Sequence, residues 1–176
     1  MLADKDNNER IQSGKKVESF IIERLNKSGL ALSKASDYDD MLKKVDVWIG
    51  KGKEKVGVQI KFRETGSDIL FEVYDTFFDF NDSRNKLGRD MTGDAKKYAV
   101  LINKKIVIVE KSEAKQVIDD MILDARCNGW KEKTIYHRER GLELQLKLTK
   151  DHADGRKKIV AFIPVEYFKS SQMISL

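Results

Sequence analysis

The chain has 176 residues, 40% hydrophobic and 36% charged, with a formal net charge of +5 and a pI near 9.1. It is long enough for one domain with a buried core, and its apolar content excludes a disordered polyelectrolyte. A single cysteine, Cys127, excludes an internal disulfide framework and fits a reducing cytoplasm; Met1–Arg10 has no apolar core for a signal peptide, and no run approaches the roughly 20 apolar residues that span a bilayer.

The first predicted element is a helix from about Asn8 to Lys27, interrupted only by Gly14 and ending near Gly29. At about 100° per residue, Val17, Phe20, Ile21, Ile22 and Leu25 form one apolar arc, and Glu18 falls inside it. An acid on a buried arc is costly unless it reaches water, pairs with a lysine or binds a cation. Ser33 to Asp40 reads as a polar loop, and Asp37, Asp39 and Asp40 lack the spacing of a calcium loop. Two short strands follow, Val45–Ile49 and Val56–Phe62, joined by a connection containing Gly50 and Gly52. Alternation puts Val56, Val58, Ile60 and Phe62 on one face and Gln59 and Lys61 on the other, and turns Val45, Val47 and Ile49 away from Asp46. Paired as a hairpin, these strands gather an acid, an amide and an ammonium on one side of a sheet.

Ile69–Tyr74 reads as a third strand. The stretch Thr76–Phe80 holds three phenylalanines, which could stack on nucleobases but are read as core. Asn81 to Lys97 is a polar, basic loop carrying Arg84, Lys86, Arg89, Lys96 and Lys97. Tyr98–Ile102 and Ile106–Val109 form a hairpin about Asn103-Lys104. Ser112 is placed to cap a second helix whose apolar stripe is Ala114, Val117, Ile118, Met121, Ile122 and Ala125, with Gly129 as its stop. Thr134–Arg138, the strictly alternating Leu142–Leu148, and Lys158–Ile163 read as strands; Asp151–Gly155 is a turn, and Pro164 ends the last strand. The expected fold is α+β in a single domain: a central mixed, mostly antiparallel sheet flanked by the N-terminal and middle helices. Its core is expected at about residues 8–128, with a C-terminal β-hairpin elaboration at about 130–168.

No Walker phosphate loop, Gly-x-Gly-x-x-Gly or Cys/His cluster of zinc spacing occurs, and His137 and His152 form no nucleophile triad signature. What remains is Glu18 on a helix, Asp46 on a strand and Gln59-Ile60-Lys61 on the next. This order resembles the PD-(D/E)XK nuclease superfamily, whose core sets an acid on a first helix and Asp, then Glu/Asp-x-Lys, on successive strands. Gly14-Lys15-Lys16-Val17-Glu18 is similar to the first-helix Gly-x-x-x-Glu of small resolvase-like members, and the likeness runs from about residue 14 to 110. Gln59 stands where the family usually has Glu or Asp, which leaves two acidic side chains and a weaker amide ligand.

The resemblance implies a magnesium-dependent endonuclease of restriction or resolvase type acting on duplex or branched DNA, with manganese able to substitute. Asp46, the Gln59 side chain and the Ile60 carbonyl would be the metal ligands. Glu18 would hold a second metal or a metal-bound water, and Lys61 would orient the attacking water. Lys15, Lys16, Arg63, Arg84, Lys86, Arg89, Lys96 and Lys97 are candidate phosphate contacts, which position without conferring specificity. Cleavage of two strands is compatible with a symmetric homodimer. Two other readings stay open: a non-catalytic nucleic-acid-binding relative of the nuclease fold, and a basic protein-binding module without nucleic acid.

Overall fold

The computed structural model describes residues 2–62, 66–137, 141–150 and 156–175. In chain order the elements are α1 (Leu2–Lys27), β1 (Leu32–Lys34), β2 (Val47–Ile49), β3 (Val56–Phe62), β4 (Asp68–Thr76) and β5 (Lys86–Leu87). They are followed by β6 (Lys97–Ile102), β7 (Lys105–Glu110), α2 (Lys111–Asn128), β8 (Lys133–His137), β9 (Glu143–Lys150), β10 (Lys157–Pro164) and β11 (Gln172–Ser175). The fold is α+β, as the alternation and helical periodicity predict. The strands divide between two sheets rather than one, and the chain forms two compact units, Met1–Gly66 with Ala95–Ile108 and Gln172–Leu176, and Ser67–Asp94 with Val109–Ser171.

The first unit is built on a six-stranded mixed sheet of order β1-β2-β3-β6-β7-β11. β3 and β6 run parallel, while β1–β2, β2–β3 and β7–β11 are antiparallel. β6 returns as β7 through Asn103 and Lys104, both at positive φ (47° and 59°), the two-residue turn whose twist matches a hairpin. Ile21 and Leu25 of α1 pack with Val47, Val58, Ala99, Ile106 and Ile108, and Val17, Phe20, Ile49 and Ile60 join the margin of that cluster. Full burial of a side chain such as Ile21 or Leu25 contributes about 1.5–3 kcal/mol, so the apolar arc of α1 fixes which sheet face it covers.

The second unit holds a five-stranded antiparallel sheet, β5-β4-β10-β9-β8, with β10 between β4 and β9. The predicted third strand, β4, therefore leaves the mixed sheet, and the C-terminal strands β9 and β10, paired antiparallel as a hairpin, join it in a second sheet with β8 at the edge. The six apolar stripe residues of α2 are all buried, and the Tyr136 hydroxyl donates to the Met121 carbonyl at 3.0 Å, tying α2 to β8. α2 begins one residue before the predicted cap: Glu110 occupies the cap position without a side-chain hydrogen bond, which leaves Ser112 inside the first turn.

Four short segments were not foreseen. β1 occupies part of the expected polar loop, and Asp39–Lys43 forms a π-helical turn opened by Ser36, whose hydroxyl accepts from the Asp39 N–H at 3.1 Å. β5 falls inside the expected basic loop, and β11 follows the turn after Pro164. Among the described residues no helix is long and apolar enough to cross a membrane.

Candidate functional site

β3 carries the residues on which the sequence analysis converges. Val58 and Ile60 face α1, while Gly57 lies against Val45 and Trp48 on the opposite face. Gln59 and Lys61 share the Gly57 face by alternation, as the sequence predicts. A Cβ on Gly57 would stand 2.8 Å from Val45 Cγ2 and 3.3 Å from a Trp48 ring carbon, so this position has room for glycine only. That close packing seals the floor beside Gln59, which is 3% exposed.

Asp46 lies one residue before β2 rather than within it, and here the alternation breaks. Val47 and Ile49 pack with α1, whereas Val45 packs with Ala35, Ala95 and Trp48, so the three do not share the face predicted for them. The cause is a bend at Asp46, whose N–H donates to the Val58 carbonyl at 3.0 Å. The bend turns its carboxylate toward β3, where Oδ2 accepts the Ile60 N–H at 2.5 Å. In an extended strand the N–H and C=O of one residue point to the same side. The Ile60 carbonyl is therefore directed to the side on which Asp46 stands, just beyond the start of β2.

Two further features complete the group. Gln59 is paired in parallel register with Tyr98, and the Lys61 ammonium lies 5.4 Å from the centroid of the Tyr98 ring. Tyr98 is 1% exposed and acts as a fixed wall that steers Lys61 by cation–π attraction. Sequence reasoning missed this role, because the pairing of β3 with β6 spans the whole intervening second-unit segment and leaves no local signal. The second feature is Gln59 Oε1, a buried acceptor with no hydrogen-bond donor. Buried amide oxygens are nearly always paired, and leaving one unpaired costs about 1–3 kcal/mol.

Asp46, Gln59, Ile60 and Lys61 are thus brought together. Glu18 is half-buried on α1, one turn before Ile21, on the helix that covers the opposite face of the sheet. Among the described residues no group of three or more His, Cys, Asp or Glu could hold a metal. An all-oxygen set of one carboxylate, one amide and one backbone carbonyl nonetheless fits a hard cation, and the orphaned Gln59 Oε1 is the atom such a cation would satisfy.

The basic residues divide between the units. In the first, Lys15 and Lys16 are exposed on α1 beside a shallow groove with Ser19 and Phe20. Lys96 is exposed with its N–H on the Gly57 carbonyl at 2.8 Å, and Lys97 is half-buried. In the second, Lys86 and Arg89 are exposed, and Arg84 is paired with Asp82 at 2.7 Å. Arg63 lies outside the described residues. Comparisons of the chain with known protein families, curated proteins and solved structures found no match.

Proposed function

We propose that the chain is a metal-dependent nuclease that hydrolyses DNA phosphodiester bonds, an endonuclease of restriction or resolvase type. The observation that carries this reading is Gln59 Oε1, buried without a donor on the strand whose Ile60 N–H holds the Asp46 carboxylate. Asp46, Gln59 and the Ile60 carbonyl would hold magnesium or manganese, while Glu18, on the helix that covers the opposite face of the sheet, is left out of this ligand set. The metal, when bound, supplies positive charge to the scissile phosphate and makes a bound water more acidic. Lys61, steered by Tyr98, would stand at the attacking oxygen and stabilise charge as it develops. The Ile60 N–H fixes Asp46 in place before substrate arrives, so little reorganisation is needed.

A second reading has its own observation. With Asp46 as the one acid in the group, metal affinity too low for turnover would leave a nucleic-acid-binding module of the same fold. Incubation with supercoiled plasmid, branched DNA and single-stranded DNA in magnesium or manganese separates the two. Nicking is expected, removed by chelator and reduced at least about 100-fold by Asp46→Asn and by Lys61→Ala. Binding to all three substrates without cleavage of any would establish the non-catalytic reading instead.

A further inference from the structure

The aromatic stretch of the sequence meets two different fates. Phe77 and Phe80 are each 5% exposed, whereas Phe78 between them is 48% exposed. Phe77 and Phe80 stack edge-on with Trp130 at centroid separations of 5.4 and 5.3 Å, and Phe78 lines an open pocket of about 510 Å³ with these three rings. Pockets of roughly 300–1,000 Å³ are the size that takes small planar ligands.

The loop that presents Phe78 is built rather than loose. Its N–H donates to Asn85 Oδ1 at 2.9 Å, and Asn85 Nδ2 returns a hydrogen bond to the Asp79 carbonyl at 2.5 Å. Asp82 grips Arg84 through Nε at 3.0 Å and Nη2 at 2.7 Å, which holds the Asp82 carboxyl down to about 2. The guanidinium so fixed lies 4.1 Å from the centroid of the Phe78 ring. A half-exposed ring backed by an arginine is a stacking platform for a π-face, and it is organised before any ligand arrives. The pocket's charged lining is Arg126, Lys131 and Lys157 against Asp79 and Glu132, a small cationic excess suited to a phosphate. The Trp130 indole N–H is itself buried, so Trp130 contributes its ring to the pocket wall.

We propose that this pocket is a subsite for an unpaired nucleobase of a nucleic-acid strand, stacked on Phe78 with its phosphate toward the lysines. The inference stands apart from the metal site, because it requires binding and no chemistry. The chain has two tryptophans, so Trp48→Phe leaves Trp130 as the sole reporter. Its emission is titrated, with chelator present throughout, against oligothymidylate, the same strand in a blunt duplex, and dTMP. Saturable quenching by the oligomer is expected, at least about tenfold tighter than by the duplex or by dTMP, and weakened about tenfold by Phe78→Ala but restored in Phe78→Tyr. Absence of quenching, quenching indifferent to Phe78→Ala, or dTMP binding as tightly as the oligomer would overturn the proposal. With cleavage read on the wild-type chain, quenching without cleavage leaves this subsite standing and removes the nuclease reading; cleavage without quenching does the reverse.

Discussion

Gln59 in the first unit and Glu113 in the second are both polar side chains anchored on regular elements, and they finish in opposite states. Glu113, in the first turn of α2, accepts the Lys169 N–H at 2.7 Å, the Ser170 N–H at 3.3 Å and the Ser170 hydroxyl at 2.5 Å. Those three donors tie the turn before β11 to the helix. Gln59 is more deeply buried, and its Oε1 receives nothing. A satisfied group of this kind is a structural clasp, since its bonds are complete without a ligand. A sealed, unsatisfied acceptor beside a fixed carboxylate is a cost the fold retains, and costs retained at one point are where function concentrates.

Substitutions can break or sharpen that contrast. The largest effect on stability is expected for Gln59→Glu measured with chelator. An acid buried at 3% exposure without a donor should cost about 3 kcal/mol, and magnesium should restore most of it by satisfying the new charge. Chemical denaturation with and without metal reads this directly, and Glu113 variants should show no metal response. Gly57→Ala comes next, at about 2 kcal/mol, because the added methyl would meet Val45 Cγ2 at 2.8 Å on the Gln59 face. Urea midpoints would register that loss alongside reduced cleavage. Gln59→Leu should move the other way, raising stability by about 1 kcal/mol as the orphaned oxygen disappears, while abolishing metal-dependent activity. A fall in stability would mean that Gln59 is a clasp like Glu113.

The smallest effect belongs to Glu113→Gln, about 1 kcal/mol after allowance for the solvent that reaches the site, with cleavage unchanged. Burial pushes the Glu113 carboxyl up, but the Ser170 hydroxyl and the Lys169 and Ser170 N–H groups outweigh it and hold it below the ordinary 4.5. Because the folded value is the lower one, the contribution is complete above pH 4.5 and is lost as the pH falls from there through the folded value. The wild-type and Glu113→Gln stability curves should therefore converge on acidification.

Local chemistry made much of this legible. The alternation of Val56–Phe62 set the phase of Gln59 and Lys61, Asn103-Lys104 marked the β6–β7 turn, and the stripe from Ala114 to Ala125 marked the buried face of α2. What escaped was non-local or very short. β4 joins β10 rather than β3, and its own alternation cannot name a partner so distant in the chain. β1 and β11 span three and four residues, too few to display a period. At the site, the bend at Asp46 and the orphaned state of Gln59 depend on what packs around them. Asp46 as a candidate ligand could be read from the sequence; the Ile60 N–H that fixes it could not.

The most direct test pairs two readouts on one variant. Supercoiled plasmid is incubated in magnesium with wild type and with Gln59→Leu, and the thermal stability of each protein is measured in the same buffer containing chelator. The account predicts chelator-sensitive nicking by the wild type, its loss in Gln59→Leu, and a Gln59→Leu protein at least as stable as wild type. Nicking by Gln59→Leu at the wild-type rate, or an intact plasmid with wild type, would contradict it.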